Sequence, residues 1–185
     1  TLEGVALKAE ELGFELIGFI KGWQGVLDGG SYLTLTPDLI DENQGGSLLK
    51  SSRTNPIADN RMEEAIHNLR KVRIDGLIPI GGDDTLTVGA KLSETFRTAF
   101  VAKTIDNDVG LNAPKGPSID YSRIVNYFCL GFPTAASRLI SCVRDLRTTA
   151  YSHDRIFFVE AMGRDAGWLT LSSAYGHADL IVVPE

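Results

Sequence analysis

Apolar residues recur every three or four positions in several stretches of this chain, which is the spacing of helices with one buried face. Stretches with this pattern cover residues 2–12, 60–73 and 86–96, and residues 120–149 are mostly helical in character. Gly131 and Pro133 predict an interruption of the last stretch, after which Thr134 or Ser137 can begin the helix again. These stretches are the predicted helices of the fold.

Short continuous apolar runs lie between the helical stretches and predict buried strands. The runs cover residues 14–20, 76–80, 98–102, 155–161 and 179–183. Residues 21–30 are rich in glycine and are predicted to form a loop, and Pro37 is predicted to begin a short helical turn. Helices that alternate with strands cover both faces of a parallel sheet. The pattern therefore predicts a doubly wound, mostly parallel α/β fold.

The composition narrows the class of protein and of partner. The chain has 185 residues, of which 43% are hydrophobic and 23% charged, as in a soluble globular domain. A formal net charge of -6 without a run of Lys and Arg argues against binding to nucleic acid or to an anionic membrane. An anionic substrate would therefore need a local group of cations.

The sequence also predicts a location in the cell. It has no signal peptide, no lipidation motif and no apolar run of membrane-spanning length. Cys129 and Cys142 are far apart and lack metal-ligand spacing, so we expect them in the core or on a helix face, in a reducing compartment. We predict a cytoplasmic protein.

Residues 103–108, with the sequence KTIDND, directly follow the predicted strand at 98–102. In open α/β sheets, ligands bind where the strands end. The six residues supply one cation, one hydroxyl and two carboxylates, which would suit a metal and a phosphate. Asp and Asn also tolerate the backbone angles of tight turns, so a plain solvated turn is the alternative.

A second polar motif, GGDDT at residues 81–85, lies between a predicted strand and a predicted helix. Glycines let backbone N–H groups approach a phosphate, the helix adds its positive end, and Asp83 could hold Mg²⁺. A tight turn with a capping Asp or Thr is the alternative. Asp84 would repel a phosphate unless a cation such as Lys103 neutralises it.

Three arginines complete the candidate chemistry. Arg164 follows Met162 and Gly163 after a predicted strand, and its planar fork suits a phosphate, although it could instead be a surface cation. Arg155 begins that strand and is predicted to face the opposite edge, toward a neighbouring subunit or a structural partner. Arg53 lies in a polar loop, residues 47–56, that could hold phosphate or be plain surface.

The order and separation of these motifs resemble the phosphofructokinase family. Further similar segments are Ser52-Arg53, residues 131–136, Ser152-His153 with Arg155, residues 159–164 and residues 178–185. The resemblance covers nearly the whole chain. It implies a three-layer α/β fold, Mg²⁺ as cofactor, and transfer of a phosphoryl group to the 1-hydroxyl of fructose 6-phosphate, giving fructose 1,6-bisphosphate in glycolysis. It also implies a homo-oligomer, either a dimer or a tetramer.

The resemblance assigns a role to each matching residue. Asp106 corresponds to the catalytic base, Asp83 to the Mg²⁺ carboxylate with Asp108 close to the metal, and Arg53 to an arginine that steadies the transferred group. The catalytic set it implies is Asp106, Asp84, Lys103 and Arg164. The substrate set is Thr104, Ile105, Asp106, Asp108, Met162, Gly163 and Arg164, with Arg155 reaching the sugar phosphate of a neighbouring subunit. The donor set is Arg53, Gly81, Gly82, Asp83, Asp84, Thr85 and Lys103.

Two positions bear on the phosphoryl donor. Family members that use ATP typically carry Gly where this chain has Asp84 and Lys103, whereas those that use pyrophosphate carry Asp and Lys. The Asp84 carboxylate would repel a nucleotide's α-phosphate, and Lys103 would neutralise the shorter donor. The resemblance therefore implies a reversible pyrophosphate-dependent phosphotransferase, with an ATP-dependent 6-phosphofructokinase as the alternative.

The chain also departs from the family pattern. The family's first strand and glycine-rich donor loop should precede Thr1, and most of its second, sugar-phosphate domain should follow Glu185. We therefore expect residues 1–185 to form the donor-binding domain alone. Ala102 replaces a frequent proline, and residues 111–128 form a longer segment than usual. An inactive fragment or a non-catalytic subunit is a further alternative. A lipid or nicotinamide-nucleotide kinase shares the Gly-Gly-Asp turn but lacks the other two motifs.

Overall fold

The computed structural model describes residues 1–41, 43–109 and 126–184, which fold into two compact units. The first unit contains Thr1–Leu77 and Thr87–Ala99, and the second contains residues 78–86 together with the residues from Phe100 onward. Both units combine helices with parallel strand pairs. This confirms the predicted α/β class. Within the described residues, no helix is both long enough and apolar enough to cross a membrane.

The first unit begins with a helix whose bounds agree with the sequence pattern. Helix α1 (Leu2–Leu12) ends at Gly13, which has a φ of 72° and so takes the left-handed conformation that glycine adopts most easily. The strands are β1 (Ile17–Phe19) antiparallel to β2 (Tyr32–Thr34), and β3 (Gly76–Leu77) parallel to β5 (Arg97–Thr98). The remaining elements of this unit are α2 (Trp23–Leu27), a 3₁₀ turn at Pro37–Leu39, and α3 (Met62–Val72).

The core of the first unit lies where α2, α3 and the second half of α4 (Asp83–Leu92) meet. Its buried members are Trp23, Val26, Leu27, Ala65, Leu69, Val88 and Leu92. The loop predicted for residues 21–30 is therefore wrong, because burial of the apolar side chains of α2 outweighs the low helix propensity of its glycine. Gly25 itself has no room for a Cβ, which would meet the carbonyl oxygens of Ile20 and Ser31.

The second unit is built on a three-stranded parallel sheet with the strand order β4-β6-β7. The strands are β4 (Ile80–Gly81), β6 (Val101–Thr104) and β7 (Leu130–Gly131). Helices α5 (Phe132–His153) and α6 (Trp168–Ser172) and a 3₁₀ turn at Ser173–Gly176 follow the sheet. Phe132, Ala136 and Leu169 form the buried cluster of this unit. The sheet thus brings the end of β6 between those of β4 and β7.

Helix α3 begins at Met62 rather than at residue 60, and helices α4 and α5 also begin at other residues than predicted. Helix α4 begins at Asp83 rather than residue 86, which places two carboxylates in its first turn, where the helix dipole favours negative charge. Helix α5 begins at Phe132, with Pro133 in its first turn, rather than at Thr134 or Ser137. Residues 126–129 are not helical, and the earlier part of the predicted helix, residues 120–125, lies outside the described residues.

Two predicted strands are absent from the described residues, at 155–161 and 179–183. Most of their apolar side chains are exposed, and Phe158 is 97% exposed. A strand exists only where a neighbour completes its ladder of hydrogen bonds, and no described strand pairs with either segment. The predicted strand at 76–80 is instead two strands that are interrupted at Pro79, whose nitrogen carries no hydrogen. The run at 98–102 likewise divides, and β6 continues to Thr104.

Candidate active site

The turn after β4 lies beside the end of β6. Gly81 pairs in register with Ala102, and a Cβ on Gly82 would be 3.7 Å from the Cβ of Thr104. The N–H of Leu86 donates to the carbonyl of Gly82 at 3.1 Å, so the first turn of α4 starts directly at this point. The two polar motifs predicted from the sequence, GGDDT and KTIDND, are therefore neighbours in space.

The loop after β6 carries the acidic residues in a fixed turn. The backbone N–H of Asp106 donates to Oγ1 of Thr104 at 3.1 Å, so the last residue of β6 helps to orient the loop. Asn107 has a φ of 56° and is only 3% exposed. Its side chain forms two hydrogen bonds to residues 127 and 129, which are 20 and 22 positions away. The loop is consequently tied to the segment that leads into β7.

Three carboxylates approach one another at this edge of the sheet. Burial raises the pKa of Asp108, and the negative charges of Asp106 and Asp83 raise it further, against the opposing effects of a backbone hydrogen bond and of Arg164. One oxygen of Asp108, Oδ1, is buried and has no hydrogen-bond partner among the residues that the structure describes. A group of acids with an unsatisfied oxygen is suited to a cation.

Arg164 belongs to the same electrostatic group. Its pKa is raised first by a hydrogen bond to Asp165 and by the charge of that residue, and then by the charges of Asp84 and Asp106. Its Nε donates to Oδ2 of Asp165 at 2.7 Å, and the side chain is 90% exposed. Gly163 has a φ of 141°, and a Cβ there would meet the carbonyl oxygen of Ala166. Only glycine suits that turn, which directs the chain into Arg164.

The other predicted site residues differ in exposure and in the element that carries them. Lys103 is an exposed residue of β6 in register with Leu130, and Thr85 and Ile105 are half-buried. Met162 is exposed, and so is Arg155, which follows α5 and donates its N–H to the carbonyl of Ala150. Arg53 is exposed and belongs to the first unit, whereas the acidic group belongs to the second. The catalytic and binding roles of all these residues stay predictions.

The acidic group fits Mg²⁺ in the way that this ion usually binds. Among the described residues, no three His, Cys, Asp or Glu side chains are arranged to hold a metal by themselves. Mg²⁺ commonly takes only one or two carboxylates and completes its octahedron with water and substrate phosphates. Asp83 and Asp108 would supply such carboxylates, and the free oxygen of Asp108 supports this assignment. A phosphate-bearing substrate would then complete the site.

Sequence reasoning missed the residues that fasten the acidic loop. Cys129 is buried, its Sγ donates to the carbonyl of Val109 at 3.5 Å, and burial raises the pKa of its thiol. The sequence predicted that each cysteine lies in the core or on a helix face. Cys129 is buried and Cys142 is exposed on α5, in agreement with this prediction. Asp165, the hydrogen-bond partner of Arg164, was also missed. The one available signal was an Asn between two Asp residues, which indicates a turn but not its distant partner.

Comparison with known proteins gives one family. A family model described as phosphofructokinase matches residues 1–185. The chain is 37% identical to a pyrophosphate–fructose 6-phosphate 1-phosphotransferase of Dictyoglomus thermophilum, covering 100% of the chain and 51% of the relative. It is also 37% identical to ATP-dependent 6-phosphofructokinase 3 of Streptomyces coelicolor, covering 94% of the chain and 48% of the relative.

A solved structure supports the fold independently. The crystal structure of Pichia pastoris phosphofructokinase in the T-state matches with a TM-score of 0.76 at 22% identity, covering 95% of this chain and 18% of that one.

The chain spans about half the length of the curated relatives that it matches; for the relative from Dictyoglomus the share is 51%.

Proposed function

Because the chain belongs to the phosphofructokinase family, we propose that the protein containing it transfers a phosphoryl group from pyrophosphate to the 1-hydroxyl of fructose 6-phosphate. The products are fructose 1,6-bisphosphate and phosphate, in a reversible step of glycolysis. The observation that carries this proposal is the group of Asp83, Asp106 and Asp108 with Arg164 in electrostatic reach. Phosphoryl transfer depends on positioning and charge neutralisation, which such a group provides.

Asp106 is the proposed general base. Its carboxylate takes the proton of the sugar 1-hydroxyl while that oxygen attacks the phosphoryl group of pyrophosphate and phosphate leaves. The hydrogen bond from its backbone N–H to Thr104 holds the residue at the end of β6. Arg164, whose guanidinium interacts with Asp84 and Asp106, neutralises negative charge that develops on the transferred group.

Mg²⁺ is the proposed cofactor, and when bound it would neutralise and orient the phosphate oxygens of the donor. Asp83 and Asp108 are the residues proposed to hold it. Neutralisation of Asp108 by a cation would relieve the unfavourable burial of its carboxylate, which raises the pKa of that group in the free protein. The protein residues therefore favour a metal-bound state.

Asp84 and Lys103 are proposed to select the donor. Asp84 lies in the first turn of α4, next to the proposed metal residue, and Lys103 lies on the neighbouring strand β6. A carboxylate at Asp84 repels the additional phosphate of a nucleotide, while Lys103 attracts the shorter donor. Overall identity alone does not separate the two donors, because the pyrophosphate-dependent relatives are 32% to 40% identical and the ATP-dependent relatives 35% to 37% identical.

The remaining assignments are also proposals. Four residues are proposed to line the sugar. Thr104 and Ile105 lie at the end of β6 and directly after it, and Met162 and Gly163 lie in the turn before Arg164. Arg155 is exposed and is proposed to reach the sugar phosphate of a neighbouring subunit in a homo-oligomer. We also propose that the protein is cytoplasmic.

The donor assignment is tested by assaying the full-length protein with fructose 6-phosphate, Mg²⁺ and each donor in turn. We expect turnover with pyrophosphate and little with ATP. Replacing Asp84 and Lys103 together by glycine should lower pyrophosphate turnover by about 10- to 100-fold.

The matched control replaces Lys91 and Glu94 by alanine, since these two exposed residues form a 2.8 Å ion pair and belong to the first unit, whereas the acidic group belongs to the second. That variant should keep full turnover. Activity with ATP alone would contradict the assignment of Asp84 and Lys103, and no turnover with either donor would favour a non-catalytic subunit.

A further inference from the structure

Asn107 is the most constrained polar residue of the acidic loop. It is 3% exposed and has a φ of 56°, in the left-handed region that few residues other than Gly, Asn and Asp adopt easily. Its Nδ2 donates to the carbonyl of Tyr127 at 3.2 Å, and its Oδ1 accepts the backbone N–H of Cys129 at 2.8 Å. Both ends of the amide are therefore used, and both partners lie on a distant segment.

Residues of the distant segment also donate hydrogen bonds to the acidic loop. Sγ of Cys129 donates to the carbonyl of Val109 at 3.5 Å, and Nδ2 of Asn126 donates to the same carbonyl at 3.5 Å. Asn126 also lies 3.6 Å from the sulfur of Cys129. We call Asn107, Asn126 and Cys129 the amide clamp. It joins both sides of the loop to the segment before β7.

Only asparagine meets all the requirements of this position. Aspartate would keep an acceptor for the N–H of Cys129 but would lose the donor to Tyr127, and it would add a third charge between two carboxylates. Glycine would keep the left-handed backbone but would lose both hydrogen bonds. A residue with a branched side chain would strain the turn.

We propose that Asn107 is a positioning residue for the phosphoryl transfer, acting through the amide clamp on Asp106 and Asp108. This inference rests on the proposed function. Asn107 is buried and forms hydrogen bonds to the backbone of the distant segment. It therefore acts on the reaction by fixing the orientation of Asp106 and Asp108 on either side of it. Without the clamp, the loop keeps its charges but loses their fixed geometry.

The test is the Asn107→Gly variant of the full-length enzyme. Residues from several elements are proposed to bind the substrate, so a shift of one loop should change affinity little. The base, in contrast, must lie within hydrogen-bond reach of the sugar hydroxyl. We therefore expect kcat to fall by about 10- to 100-fold while KM for fructose 6-phosphate stays within about threefold. Hydrogen exchange of the Cys129 amide should accelerate by about tenfold or more, because its acceptor is gone.

The matched control is Asn68→Ala. Asn68 is also a buried asparagine, 8% exposed, and its Nδ2 donates to the carbonyl of Val26 at 2.9 Å, but it belongs to the first unit. Its removal also leaves a buried carbonyl without a bond, so it should lower stability in a similar way while kcat remains unchanged.

The outcomes separate the two proposals. If the wild-type enzyme turns over neither pyrophosphate nor ATP, the proposed function fails and this inference fails with it. If the wild type is active, then an unchanged kcat or unchanged Cys129 exchange in Asn107→Gly overturns the inference alone, as does an equal loss of kcat in Asn68→Ala.

A second variant covers the case in which Asn107→Gly does not fold. Asn126→Ala removes one bond to Val109 and leaves Asn107 in place. We expect kcat to fall by about three- to tenfold at unchanged KM. Full kcat in this variant would overturn the proposal in that case.

Discussion

The apolar core of the first unit and the acidic loop of the second both contain buried groups. The core surrounds its buried groups with apolar neighbours, whereas the loop leaves a buried carboxylate oxygen without a hydrogen bond to any residue that the structure describes. In the core, Leu69, Val88 and Leu92 are completely buried among other apolar side chains. In the loop, Asp108 is half-buried beside like charges and keeps an oxygen without a described partner. The loop therefore retains unfavourable electrostatics at the point where we propose catalysis, as is common at functional sites.

The largest expected effect is on turnover and separates the two regions most clearly. Asp106→Ala should lower kcat by about 10²- to 10⁴-fold, because the proposed base is lost. Its free energy of unfolding should change by less than about 0.5 kcal/mol, since the residue is not part of an apolar core. Asp75→Ala, which removes an exposed carboxylate of the first unit, is the control for both measurements. Near-normal kcat for Asp106→Ala would remove that residue from the base role.

The converse change acts on the core. Leu69→Ala should lower the free energy of unfolding by about 2–5 kcal/mol, because it removes buried atoms and leaves a cavity. Urea unfolding measures this loss, and kcat per folded molecule should not change. Leu7→Ala on the exposed face of α1 is the control and should be nearly neutral. A stable Leu69→Ala protein with low kcat would mean that the core and the site are not separate in their effects.

The smallest expected effect is a gain in stability. Asp108→Asn should raise the free energy of unfolding at neutral pH by only about 0.5 kcal/mol or less, because solvent screens the exposed part of this carboxylate, while turnover falls. The folded protein raises the pKa of Asp108 above its ordinary value of 3.8, so the wild type loses stability as pH rises from that value through the raised pKa. The advantage of the variant should therefore be absent at lower pH and constant above this window.

Thermal unfolding at a series of pH values measures this difference. Mg²⁺ should reduce it, because a cation would compensate the carboxylate of the wild type but not the amide of the variant. An advantage that is the same at every pH would mean that the charge of Asp108 is not its cause.

The sequence predicted the elements whose causes are local. Helix α1 was predicted with its exact bounds, because an apolar stripe and Gly13 mark it within a few residues. The positions of GGDDT and KTIDND at neighbouring strand ends were also predicted, since parallel strands share an edge. The pairing of Gly81 with Ala102 confirms that the two motifs are neighbours, although the roles of the individual residues stay predictions.

The sequence did not predict features that depend on distant partners. Helix α2 forms because Trp23 is buried against other helices, which the local glycines do not reveal. Residues 155–161 have the apolar content of a strand, but content does not specify which segment pairs with it. The bonds of Asn107 reach residues 127 and 129, and no spacing rule connects positions so far apart.

The burial of Cys129 also affects how the protein can be labelled. Thiol reagents attack the thiolate, and the raised pKa of Cys129 and its burial both limit that form. Cys142, on the surface of α5, is the other cysteine of these 185 residues. A maleimide dye at neutral pH therefore attaches to α5 first, which gives fluorescence experiments a reporter that leaves the acidic loop chemically untouched.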